Sequence, residues 1–247
     1  MSIPIHRPSS ADCFLVTLRA IFLLLCAGFA GLCATTSALA QAEPGTAAAE
    51  LEQIARALRA LPSTAGYARL ATFAEQHAQS ELGSRAALAL GYHDHARKRY
   101  VQAHRWLARA ERDALLREYA LYWNALALRA LGHSAAAADK LQALRSEYPS
   151  SVMTEPAVEA LAAALLASGR ARAALEALAA YDKTDARPAL LLLRARANQL
   201  SGAKEFAVAD YAAIYYPHSL TAQATEAGKK LAALRQVMGK RFPAISA

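Results

Sequence analysis

His93-Asp94-His95 is the first segment of this chain that invites chemistry, since two imidazoles and a carboxylate are metal-ligand types. Residues two apart on a helix point away from each other, and no third ligand stands nearby in sequence. A polar cluster at a hairpin end is therefore the expectation. Glu155 and Glu159 stand four apart on one helix face, and paired carboxylates are the machinery of glycoside cleavage. That chemistry needs one acid in an apolar pocket, whereas this spacing is also that of an ordinary solvated pair, so neither is assigned a catalytic role. Serine, histidine and aspartate are all present, but without a nucleophile elbow or a strand to hold one. No Gly-rich phosphate loop occurs. Tyr119, Tyr122 and Trp123, at i, i+3 and i+4, read as a core stripe, with sugar stacking on a concave surface as the functional alternative. Tyr215-Tyr216 falls at a helix end, where one ring should pack and the other stay exposed. The sequence thus nominates no catalytic residue, no metal ligand and no cofactor site, and leaves the binding residues unassigned.

The elements that position these side chains follow a leader. Arg7 and Arg19 flank a positive start, Ala20–Ala34 is apolar, and Ala38-Leu39-Ala40 has the A-x-A form of a signal cleavage site. The apolar run spans about 22 Å as a helix at ~1.5 Å per residue, short of a ~30 Å hydrocarbon core. Cleavage after Ala40 and export to the periplasm are the expectation, with no transmembrane segment left afterwards. Leucine precedes both Cys26 and Cys33, which does not suit lipidation. Cys13, Cys26 and Cys33 are the three cysteines, all inside the leader, so the mature chain from Gln41 has no disulfide, thiol nucleophile or cysteine metal site.

The whole chain carries 28 basic and 20 acidic residues, a formal charge of +8. Without Arg7, Arg19 and Asp12 of the leader these become 26 and 19, or +7. Arginine and lysine on solvent faces of helices account for much of this. A functional reading would have the positive surface meet cell-wall glycan or a membrane surface. No basic stretch is interleaved with aromatics in the manner of base-stacking proteins, which excludes nucleic acid.

From Leu51 onward the chain reads as helices. Leu51, Ile54, Leu58 and Leu61 recur at helical spacing; Pro62-Ser63-Thr64 closes that helix and caps the next, which carries Tyr67, Leu70, Ala71 and Phe73-Ala74. A periodic region follows, with breaks near Lys98, Gly132, Gly169 and Gly202, at steps of 34, 37 and 33 residues. Each break separates an Ala/Leu-rich helix from a second helix with alanine at its crossing point: Ala103, Ala137, Ala174 and Ala207. Two second helices end in Tyr148-Pro149-Ser150 and Tyr216-Pro217-His218-Ser219. Two helices of about twelve residues plus short turns consume about 34 residues, and a fixed period of this length marks stacked helical hairpins. The expected architecture is all-α: a right-handed α-solenoid of about five hairpins, closed by a helix from Ser219 to Val237. The expected organisation is a signal over 1–40, a first hairpin over 41–81, repeats over 82–237 and a tail over 238–247.

These residues resemble tetratricopeptide repeats, best in the unit with Gly91, Tyr100, Ala103, Leu107 and Ala110. A narrower resemblance lies in Leu82–His93, Tyr119–Ala127 and Tyr211–Ser219. These segments are similar to the N-terminal superhelical region of soluble lytic murein transglycosylases, over most of residues 60–237. The resemblance implies an exported protein of cell-wall turnover, acting with a lysozyme-like module that cuts glycan strands of peptidoglycan. That module carries its acid in a Glu-Ser pair ahead of a Gly-Leu-Met-Gln type stretch, and neither occurs here. The implied role is therefore non-catalytic, positioning glycan or the cutting module, as an N-terminal fragment, a truncated product or a stand-alone relative. The alternative is a repeat adaptor for envelope proteins, since tetratricopeptide-like outer-membrane assembly proteins also use Tyr-Pro-x-Ser helix ends.

Overall fold

The structure, a computed structural model, describes residues 44–180 and 187–245. The leader over 1–40, its three cysteines and its cleavage site lie outside the described residues. Within them the chain is all-α, with eleven α-helices and no strand. In order these are α1 (Pro44–Ala60), α2 (Thr64–Gln76), α3 (Glu81–Ala96), α4 (Tyr100–Ala110), α5 (Arg117–Ala130), α6 (Ser134–Glu147), α7 (Thr154–Ala167), α8 (Ala171–Ala179), α9 (Pro188–Leu200), α10 (Lys204–Tyr215) and α11 (Ala222–Met238). No described helix is long and apolar enough to cross a membrane. The chain divides into two compact units, one up to Ala89 and the other from Leu90, with the boundary inside α3.

In the first unit Leu51, Ile54 and Leu58 of α1 are buried, and α1 packs on α2, whose core residues are Leu70, Phe73 and Ala74. Leu61, expected on the same stripe, is instead exposed, because α1 ends at Ala60 and the residue falls in the turn. Ser63 caps α2 as its composition suggests: its Oγ accepts from the Gly66 amide at 3.0 Å, satisfying one of the orphan donors of the first turn.

The second unit repeats one backbone device. Lys98, Gly132, Gly169 and Gly202 all adopt positive φ, at 59°, 84°, 77° and 87°. Around each, the chain makes the same pair of hydrogen bonds. The Gly132 amide donates to the Arg129 carbonyl at 3.0 Å and the His133 amide to the Leu128 carbonyl at 2.9 Å. Lys98–His95 with Arg99–Asp94, Gly169–Leu166 with Arg170–Leu165, and Gly202–Gln199 with Ala203–Asn198 reproduce it. This is the Schellman closure, which needs one left-handed residue and satisfies the last carbonyls of the first helix. Lys98 does this without glycine, and it is the one described non-glycine residue at positive φ.

Side chains keep step with the backbone. Ala103, Ala137, Ala174 and Ala207, at equal distances past the left-handed residue, are fully buried, and so are Leu107, Leu141, Leu178 and Tyr211 one turn further on. Facing them on the first helices are Gly91, Ala125, Ala162 and Ala195, all buried small residues. Small residues at both faces let two helix backbones approach closely. At Gly91 the approach is close: a Cβ there would lie 2.5 Å from Leu107 Cγ, so alanine does not fit without a shift. Each helix from α4 to α11 packs on the next, and α5 on α7, α7 on α9 and α9 on α11 also touch. First helices thus line up with first helices, and each hairpin buries its apolar face on its neighbour. The chain stays in turns from Tyr216 to Leu220, so α11 starts at Ala222, after Thr221, whose hydroxyl accepts from the Ala224 amide at 3.1 Å, rather than at Ser219.

Candidate functional site

The sequence-nominated residues are placed by these hairpins as follows. Asp94 is fully buried at the end of α3 and receives Arg99 Nη2 at 2.5 Å. His93 lies beside this pair, its Nδ1 3.2 Å from Arg99 Nη2. His95 turns elsewhere, edge-on to Trp123 at 5.1 Å and to Tyr100 at 5.4 Å between centroids. The two imidazoles diverge, as two-residue spacing on a helix requires. Burial depresses both below the ordinary histidine value, with Arg97 next in effect on His93 and Arg129 on His95.

Tyr119, Tyr122 and Trp123 are all buried on α5. Trp123 is packed edge-on by Tyr92 at 4.9 Å and Tyr122 at 5.4 Å, as aromatic rings prefer. Burial, the largest cause, raises the Tyr122 hydroxyl. The stripe is core, and no open aromatic face remains on α5 for a sugar to stack on. Tyr215 and Tyr216 are both about half exposed and meet each other edge-on at 5.2 Å. Tyr215 packs on the backbone face of Gly228, where a Cβ would come within 2.8 Å of its ring. Together with Leu231, Arg235 and Phe242 the two tyrosines border a groove of ≈470 Å³.

Glu155 and Glu159 on α7 both receive Arg187, each at 3.3 Å, from the start of α9. They link neighbouring first helices from the solvent side and lie in no apolar pocket. A surface tie of this kind is worth less than ~1 kcal/mol.

Two buried polar networks were not anticipated. Asn124, fully buried on α5, meets His104 Nδ1 at 2.7 Å and donates to Glu111 Oε1 at 2.6 Å; Lys140 Nζ reaches Glu111 Oε2 at 2.8 Å. In the last hairpins Asp210 accepts Arg194 from Nε and Nη2, at 3.0 and 2.6 Å, and Asn198 at 2.9 Å. Arg196 holds Glu226 of α11 with Nη2 2.6 Å from each carboxylate oxygen. Tyr211, above the Asp210 pair, donates its hydroxyl to Gln199 Oε1 at 3.0 Å, and burial pushes it up to about 12. The available signals were an asparagine in the largely apolar helix α5 and an arginine directly after Leu190–Leu193. Neither signal names its partner, which comes from another helix.

A second groove, of ≈400 Å³, runs across the aligned first helices α7, α9 and α11. Leu166, Leu193 and Leu200 give it apolar walls, and Arg196, Gln199 and Lys230 give it polar ones. Its lining thus combines hydrogen-bond donors with apolar surface. No protein-family model matches the chain, and no curated protein or solved structure is significantly similar to it.

Proposed function

We propose that this chain is a non-catalytic, tetratricopeptide-like scaffold of the right-handed solenoid type, serving an exported peptidoglycan lytic transglycosylase. Its task is to position a glycan strand or the cutting module during cell-wall turnover in the periplasm, after removal of residues 1–40. The observation that carries the reading is the recurrence of one hairpin four times. Each has a left-handed closure and a small residue at the crossing, and the first helices α5, α7 and α9 lie in line. The resemblance of Leu82–His93, Tyr119–Ala127 and Tyr211–Ser219 to the family's superhelical region supplies the particular enzyme class. The partner is peptidoglycan or a lysozyme-like catalytic module. Purified protein from Gln41 onward should sediment with peptidoglycan sacculi or associate with such a module, and doing neither overturns the reading. The same protein should give no clearing on a peptidoglycan zymogram.

A second reading draws on the α7–α9–α11 groove. Leucine walls with interspersed donors suit a protein segment as well as a sugar, which is the behaviour of an adaptor in envelope assembly. A stable protein partner recovered from an envelope extract, lost on Leu193→Glu and without affinity for sacculi, would favour the adaptor.

A further inference from the structure

The groove bordered by Tyr215 and Tyr216 uses one face of α11. Gly228, Leu231, Ala232 and Arg235, at i, i+3, i+4 and i+7, all line it. The two tyrosines at the end of α10, with Phe242 and Ile245 beyond α11, complete it. Two of these side chains are exposed and yet held in place. Tyr215 is 43% exposed, but its ring lies against Gly228, where a Cβ would come within 2.8 Å of it. Glycine weakens a helix interior relative to alanine, and here the missing methyl is what lets the ring lie on the backbone. Arg235 is also exposed, and its guanidinium stacks 4.8 Å from the Phe242 ring centroid. Gly239, at φ 54°, ends α11, and a short 3₁₀ turn over Gly239–Arg241 brings Phe242 onto the arginine. Phe242 and Ile245 in turn pack on the core of the last helices. Side chains fixed before a ligand arrives lose little freedom on binding.

We infer that this groove binds an anionic, N-acetylated glycan strand, with pyranose rings on Tyr215 and Tyr216 and a carboxylate of the strand on Arg235. The C–H face of a pyranose is weakly positive and suits the negative face of an aromatic ring. The planar guanidinium fork matches a carboxylate, and the Gln236 amide can both donate to and accept from acetamido and hydroxyl groups. A formal charge of +8 on the chain favours an anionic strand over a neutral one. The volume of ≈470 Å³ suits a short stretch of oligomer. A partner helix would need a broad apolar floor for its anchors, whereas on α11 Leu231 stands between Gly228 and Ala232. That the strand is peptidoglycan rests on the scaffold role proposed above.

The test is calorimetric titration of the protein from Gln41 onward, which retains every described helix, alongside co-sedimentation with sacculi. One probe is peptide-free glycan strands, whose lactyl carboxylates are free, and the other is neutral N-acetylglucosamine oligomers of similar length. The anionic strands should bind about tenfold more tightly. Arg235→Gln should erase that preference while leaving the neutral oligomers within about twofold. Tyr215→Ala/Tyr216→Ala should weaken both probes and sacculus binding about tenfold or more at unchanged helicity. Gly228→Ala keeps every ring and improves helix propensity, yet by displacing Tyr215 it should also weaken binding, about threefold or more. Leu193→Glu, in the other groove, should bind like the parent. Sacculus binding that survives the tyrosine and glycine substitutions overturns this inference alone and leaves the scaffold reading standing. So does equal affinity for the two probes, or a loss confined to Leu193→Glu. A parent protein that binds neither the strands nor sacculi overturns the inference together with the glycan arm of that reading.

Discussion

The corner around α4 and α5 and the corner around α9, α10 and α11 use the same hairpin, yet they are filled by different chemistry. In the first, Trp123 is ringed by Tyr92, His95 and Tyr122, and the buried polar link runs through a neutral amide, Asn124. In the second, Leu191, Leu192, Ile214 and Leu231 make the core with Tyr211, and the polar links are ion pairs, Arg194–Asp210 and Arg196–Glu226. One backbone register accommodates both because the closure and the small crossing residues set helix spacing, while the remaining positions need only fill volume and satisfy donors. The two corners should therefore fail under different stresses.

The largest contrast should come from Trp123→Ala. Removing a buried indole leaves a cavity that the rings around it cannot collapse to fill, at a cost of about 3–5 kcal/mol by urea denaturation. In the opposite corner, Asp210→Ala should cost less, about 1–3 kcal/mol. Arg194 keeps a third of its side chain exposed and can rehydrate once its carboxylate is gone. Should the aspartate substitution prove the more damaging, the ionic corner and not the aromatic one holds the unit together.

Gly91→Ala tests the crossing itself. The added methyl would press on Leu107 at 2.5 Å, and overpacking of this kind costs about 1–3 kcal/mol. A matching Leu107→Val should recover part of the loss, which separates a steric clash from a change in helix propensity.

Acid and alkali should divide the corners further. His95 is held below its ordinary value of 6.5 by burial, so the fold prefers it neutral. Its contribution is complete above that value and is lost as pH falls through the depressed one. Tyr211 is raised from 10.0 to about 12, so its contribution is complete below 10 and is lost as pH rises toward 12. Trp123 fluorescence should change on acidification, and His95→Phe should remove that change. Tyrosinate absorbance should include a component titrating near 12 that is absent in Tyr211→Phe, while Tyr122, also raised by burial, still titrates above its ordinary value.

The smallest effect belongs to Lys98→Gly. The left-handed conformation costs lysine about 1 kcal/mol, but glycine adds freedom to the unfolded chain. The net change should be within ~1 kcal/mol and on the stabilising side, and Gly132→Lys should shift stability by a similarly small amount in the opposite direction.

Much of this architecture was readable before any coordinates. Gly132, Gly169 and Gly202 carry a local requirement, positive φ, and Ala103, Ala137, Ala174 and Ala207 a local size, so a single strand of letters reports both. The Ser63 cap is likewise a short-range matter. Leu61 misled because periodicity does not say where a helix stops. The duplicated Tyr-Pro ends do mark where two second helices stop, at Tyr148 and Tyr216, but not what surrounds them. Tyr148 places its hydroxyl 3.5 Å from the Ala114 carbonyl of the preceding connection, whereas Tyr216 stays half exposed beside Tyr215. The same word has different surroundings because neighbours decide them. The grooves and the networks of Asn124 and Asp210 were beyond reach for the same reason, since each draws on two or three helices.

What the sequence determined by itself is the hairpin: where each first helix closes, which residue lets its mate approach, and that the described chain is helical throughout. These depend on backbone conformation and side-chain size within a few residues. The tertiary structure alone decided which polar side chains meet, which rings pack around Trp123, and which leucines wall the groove across α7, α9 and α11. Those outcomes depend on the packing of hairpins many residues apart, where burial and pairing are properties of the stack and not of any one segment.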